Sequence, residues 1–95
     1  MSKKIFTFYS DPGHAWLCVP RSLIVQLGVI GKISHCSYQR NENVYLEEDC
    51  DAPKFRKALE ASGKEFKYRE VSAKKESRIR SYDSFTLRSV EVVHG

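Results

Sequence analysis

The chain has 95 residues, enough for one domain built round a single core. Its 41% hydrophobic and 12% aromatic content excludes a disordered polymer. Sixteen Lys and Arg against twelve Asp and Glu leave a charge of +4, which suits an anionic partner without requiring one, and no apolar run approaches the ~20 residues of a membrane span.

The start, MSKKIFTFYSD, carries lysines but only a short, interrupted apolar stretch, so no signal peptide is expected. Residues 4–9 alternate Ile5, Thr7 and Tyr9 against Phe6 and Phe8. Both sets are largely apolar, which predicts a strand buried on two sides or central in a sheet. SDPG follows with turn chemistry: Asp11 closing an Asx bond, Pro12 fixing φ, Gly13 free to take positive φ. AWLCV reads as a second strand. Pro20 suits the first position of a short helix with Leu23, Ile24 and Leu27 as its apolar stripe and Gly28 as its stop.

Two β-capable arms, near 34–39 and 43–48, flank RNEN and predict a hairpin. Asp51 is then the expected N-cap of a helix running through Ser62, with Phe55, Ala58 and Leu59 inward and Gly63 as its end. KEFKYREV alternates Phe66 and Tyr68 with Lys67 and Arg69, the mark of a half-exposed strand. Residues 72–86 lack either period and read as a long basic-aromatic loop, with 87–95 an edge strand or tail. The order β-β-α-β-β-α-β predicts a single α+β domain over 1–95. Its architecture is a two-layer sandwich: a mostly antiparallel sheet of about four to five strands with both helices on one face.

Three cysteines without paired spacing point to free thiols in a reducing cytoplasm rather than a disulfide framework. Structural zinc is not expected, because Cys18, Cys36, Cys50, His14 and His35 lack closely paired ligand spacing. A thiol nucleophile at Cys50 is opposed by the flanking Asp49 and Asp51. No cofactor or metal is implied. The acidic run Glu47, Glu48 and Asp49 reads as charge near a helix start, and otherwise as oxygen ligands for a divalent cation or a secondary patch toward a basic partner.

The strongest functional lead is the loop. Lys74, Lys75, Arg78 and Arg80 offer charge to phosphates, and Tyr82 and Phe85 offer rings, a set that equally serves protein contacts. His14 and Trp16 are left unexplained by the turn and join these residues as candidate contacts. A small enzyme using His14 with an acidic partner stays open, as does direct nucleic-acid binding through residues 72–85. Either exposed strand, 64–71 or 86–93, would permit a homodimer as well as a monomer, although its charges oppose strand pairing.

Three segments, SDPGHAWLCVP, SYQRNENVYLEEDCDAPKF and IRSYDSF, together resemble small accessory proteins encoded by tailed bacteriophages, prophages and plasmids. The similarity spans most of residues 7–85. It implies a bacterial cytoplasm and a binder of a host protein or protein–nucleic-acid complex. Inhibitors of host nucleases, restriction systems or CRISPR effectors are typical of that genetic setting.

Overall fold

The computed structural model describes residues 4–91. Strands β1 (Ile5–Ser10) and β2 (Ala15–Pro20) form an antiparallel hairpin in which Ser10 faces Ala15 across the SDPGH turn. Helix α1 (Arg21–Gln26) follows β2 without a loop. Pro20 sits at its N-cap, one position earlier than the sequence predicts, at φ −60. Gly28 closes the helix at φ +75, a conformation open to glycine at little cost.

After a 3-10 turn at Ile30–Lys32 come β3 (Tyr38–Arg40) and β4 (Asn43–Glu47). Their two-residue connection places Asn41 at φ 55, where asparagine is tolerated. The expected first arm is shorter than 34–39, because Ser34 and Ser37 serve a polar contact instead of a ladder. Helix α2 (Ala52–Ala61) then crosses the sheet and delivers β5 (Lys67–Ser72) parallel to β1. A parallel neighbour requires such a crossover. A two-residue strand, β6 (Asp83–Ser84), completes the order β5-β1-β2-β4-β3-β6.

The architecture is the two-layer, mostly antiparallel α+β arrangement, with six strands where about four to five were expected. The sixth comes from inside the stretch read as loop 72–86. That stretch also contributes the last residue of β5 and a 3-10 helix at Arg78–Ser81. The possible edge strand over 87–95 does not form in the described part, where Ser89–Glu91 is a 3-10 turn; residues 92–95 lie outside the described residues.

Period-two alternation sends Phe6, Leu17, Val19, Val44 and Leu46 to one face, where they meet Ile24 of α1 and Phe55 and Leu59 of α2. Both helices therefore cover the same side. Phe6 and Phe55 meet edge to face at 5.3 Å. Full burial of each such side chain is worth roughly 1.5–3 kcal/mol. β1 is interior to the sheet, as its sequence predicts, but its second face is open: Ile5 is 58% exposed.

Buried charge fastens the irregular segments. Asp51, expected as the N-cap of α2, makes no capping bond. Pro53 occupies the second helical position and has no N–H to give. The Asp51 carboxylate instead accepts from Ser34 N and Oγ, Ser37 Oγ and Lys54 Nζ, tying the 34–37 turn to the helix start. Burial pushes its pKa up, and the donors from Ser37, Lys54 and Ser34 more than reverse that shift. Arg21, 2% exposed, holds the 86–91 segment through both oxygens of Glu91 and the Thr86 carbonyl and also donates to Gln39 Oε1 of β3, with its guanidinium 4.9 Å over the Phe85 ring. Among the described residues no helix is long and apolar enough to cross a membrane.

Candidate functional site

The SDPGH turn does more than reverse the chain. Asp11 Oδ1 accepts from the Gly13 and His14 amides at 2.9 and 3.0 Å, the Asx geometry its sequence predicts. The same carboxylate also receives the distant 77–80 segment. Ser77 N donates to Oδ2 at 2.9 Å, and Arg80 donates from Nε at 2.7 Å and Nη2 at 2.9 Å. The Asp11 side chain is fully shielded. The Arg80 hydrogen bonds, followed by the Ser77 amide, hold its pKa far below the carboxylate range. A Cβ at Gly13 would lie 2.8 Å from Arg80 Nη2, so the approach of the guanidinium uses the absence of a side chain there.

Arg80 is thereby laid 5.3 Å over the Trp16 ring. Trp16 points away from the helices, and the 77–82 segment forms a strap across it. Ile79, 3% exposed, is the apolar residue of that strap. The chain then pairs as β6 with the edge of β3 and turns Phe85 into the helix-side core.

This arrangement sorts the sequence-derived contact residues. Trp16 is 2% exposed and Phe85 4%, so neither is available as a surface contact, which corrects the reading of both. Arg80 is occupied by Asp11. His14 is exposed, 6.0 Å from Trp16 ring to ring, and its imidazole makes no hydrogen bond among the described residues. Since both Asp11 oxygens face other donors, the nearest acid in sequence does not orient His14 for catalysis. Lys74, Lys75 and Arg78 are exposed, and Tyr82 is half-buried.

The strap leaves part of the helix-free face uncovered. Strand register sets a row across it: Arg69, Thr7, Cys18, Tyr45 and Tyr38. Arg69 Nε donates to Thr7 Oγ1 at 3.2 Å, which confirms that the two side chains share this side. Tyr45 lies between Tyr9, 6.4 Å away, and Tyr82, 5.1 Å away. Arg40 continues the series, 5.0 Å over the Tyr82 ring, with Nη1 donating to its hydroxyl at 3.0 Å. Burial, then the neighbouring Cys18, raises the Tyr45 pKa above its ordinary value, and burial also raises the Cys18 thiol. Both groups are neutral at physiological pH. A cleft of about 480 Å³ opens where Arg40, Arg78 and Tyr82 converge.

Sequence reasoning found Tyr82 and Arg78 but missed Tyr9, Tyr45, Arg40 and Arg69. Their signal is strand parity: each lies on the residue set opposite the apolar core set, and only the pairing register joins the sets of different strands into one face.

The acidic patch lies elsewhere. Glu47, Glu48 and Asp49 bring oxygens within 4.8 Å of one another in the turn before α2. Glu47 accepts the Asp49 amide at 2.9 Å, and Glu48 has its pKa raised by burial and by Asp49 and Glu47. Glu48 and Glu70 line a helix-side groove of about 410 Å³ with Phe8, Phe66 and Tyr68. Comparison with protein-family models, curated proteins and solved structures returns no match.

Proposed function

We propose that this chain is a non-enzymatic binding protein that engages a host protein or nucleoprotein complex through the helix-free face and its strap. In the setting its resemblance implies, it is a mobile-element accessory protein in a bacterial cytoplasm, an inhibitor of a defence system such as restriction or CRISPR. One observation carries the reading. The face displays Tyr9, Tyr45 and Tyr82 with Arg40, Arg69 and Arg78, and none of these arginines has a carboxylate within 4 Å among the described residues. Tyr and Arg are the residues that most often carry binding energy, and an unpaired cation has no desolvation debt to a partner already made.

Affinity capture from the bacterial host tests this. A tagged chain should recover one dominant complex. Recovery should fall on combined Arg40→Ala and Arg69→Ala substitution and persist in the helix-side variant Arg56→Ala. A folded chain that recovers nothing above background, or equal loss from the helix-side change, would overturn the reading.

A further inference from the structure

Resting on the assignment of the helix-free face as the binding face, we infer that what it contacts is single-stranded nucleic acid. The first argument is charge. Arg69 projects to this face by register with Thr7, Arg40 lies on Tyr82, and Arg78 borders the same cleft. Asp83 lines the Arg40–Arg78 cleft and Glu76 lies 3.7 Å from Arg80, but the other carboxylates near the face are turned aside. Glu70 is in register with Phe8 on the helix side, and Glu48 lines the helix-side groove. Glu47 belongs to the helix-free set, but its carboxylate folds back to the Asp49 amide. Asp11 is consumed by the strap. Among the described residues, Arg40, Arg69 and Arg78 thus present cations without a carboxylate within 4 Å on this side, the kind of contact a phosphate backbone makes.

The second argument is the rings. Tyr9, Tyr45 and Tyr82 form a half-exposed aromatic series that the Arg40 guanidinium extends, and both surfaces accept an unstacked base. Among the described residues, the large exposed aliphatic side chains on this face are Ile5 and Val71 toward its β5 end, too few for an apolar protein anchor. The third argument is shape. Apart from the short 77–82 strap the described part of this face is sheet, with no α-helix on it to enter a major groove, so bases would reach it splayed out. Four inter-strand spacings, from β5 to β3, give a platform of about 19 Å, suited to a run of about four nucleotides.

The test is fluorescence anisotropy with labelled single-stranded RNA and DNA of about 12 nucleotides and the matching duplex, titrated in salt. Single strands should bind in preference to duplex. The log–log salt slope should be about −2 to −3, equivalent to roughly three or four phosphates at ~0.7 each. Tyr45→Leu and Tyr82→Leu should weaken binding roughly 5- to 50-fold. Arg40→Gln and Arg69→Gln should each flatten the slope by about 0.7, and Arg56→Gln should leave it unchanged. If Tyr45→Leu disturbs the sheet, Tyr82→Leu decides, since Tyr82 is outside the ladder. Absence of single-strand binding at low salt overturns the inference, as does equal binding to duplex that the tyrosine changes do not alter. Capture of a nuclease-treated host complex through the same face, without oligonucleotide binding, would reject this inference and leave the parent reading standing. Loss of both would reject both.

Discussion

The two faces of the sheet are held by different physics. On the helix side, Phe6, Leu17, Val44, Leu46, Phe55 and Leu59 are at most 4% exposed and hold α2 by apolar burial, which is strong and non-directional. On the other side a strap of a few residues is held by one carboxylate, one guanidinium and one indole. The first arrangement must exclude water from the whole face. The second seals only Trp16 and Ile79, and it leaves tyrosines and arginines next to them in solvent. A face covered in this way remains free to bind.

The largest break in this comparison is predicted on the helix side. Phe55→Ala removes the ring that meets Phe6 at 5.3 Å and should cost about 3–5 kcal/mol, a large part of a small domain's stability. Denaturant unfolding followed by far-UV circular dichroism should show both faces lost together. Asp11→Ala should act differently. It removes the acceptor for Ser77 N and Arg80 and leaves the apolar core intact. Far-UV dichroism should be retained, the emission of Trp16 should shift to the red, and trypsin should cut faster at Lys74, Lys75 and Arg78. A single cooperative loss of all signals in this variant would mean that the strap and the helix layer are one unit.

How much of this was legible beforehand follows the range of the interactions. The helices, the hairpins and the helix-side core were readable, because Phe55 and Leu59 or Val44 and Leu46 repeat at local periods. The Asx turn at Asp11 was readable for the same reason. Its second role was not, since Arg80 lies 69 residues away and no local pattern joins them. The 72–86 stretch looked structureless because its order is borrowed: Ser77 and Arg80 from Asp11, Asp83 and Ser84 from the edge of β3. Trp16 and Phe85 fit no local period and so read from sequence as contacts, whereas each is buried by a segment remote in sequence. Asp51 shows the reverse failure. Its position fits a cap, and Pro53 together with the Ser34 and Ser37 donors redirects it.

The finest comparison uses acid, because both sides carry carboxylates shifted in known directions. Asp11 is lowered chiefly by Arg80, and Glu91 chiefly by Arg21. A group whose folded pKa lies below its unfolded one adds stability that is complete above the unfolded value and is lost as pH falls through the folded one. The relevant unfolded values are 3.8 for Asp11 and 4.5 for Glu91. Glu48 has the opposite sign: burial raises it from 4.5, so its charge opposes folding at neutral pH and protonation relieves that. Thermal melts at about pH 7, 5 and 3 should therefore show little change or a slight rise at the first step, then a fall at the second. Because Arg80 and the Ser77 amide hold Asp11 far below the carboxylate range, the strap should keep its clamp through the acid step. Trp16 emission should then hold its neutral-pH position after the melting temperature has begun to drop. A red shift of Trp16 that precedes the drop would place the weaker clamp at Asp11 instead of at Arg21 and Glu91.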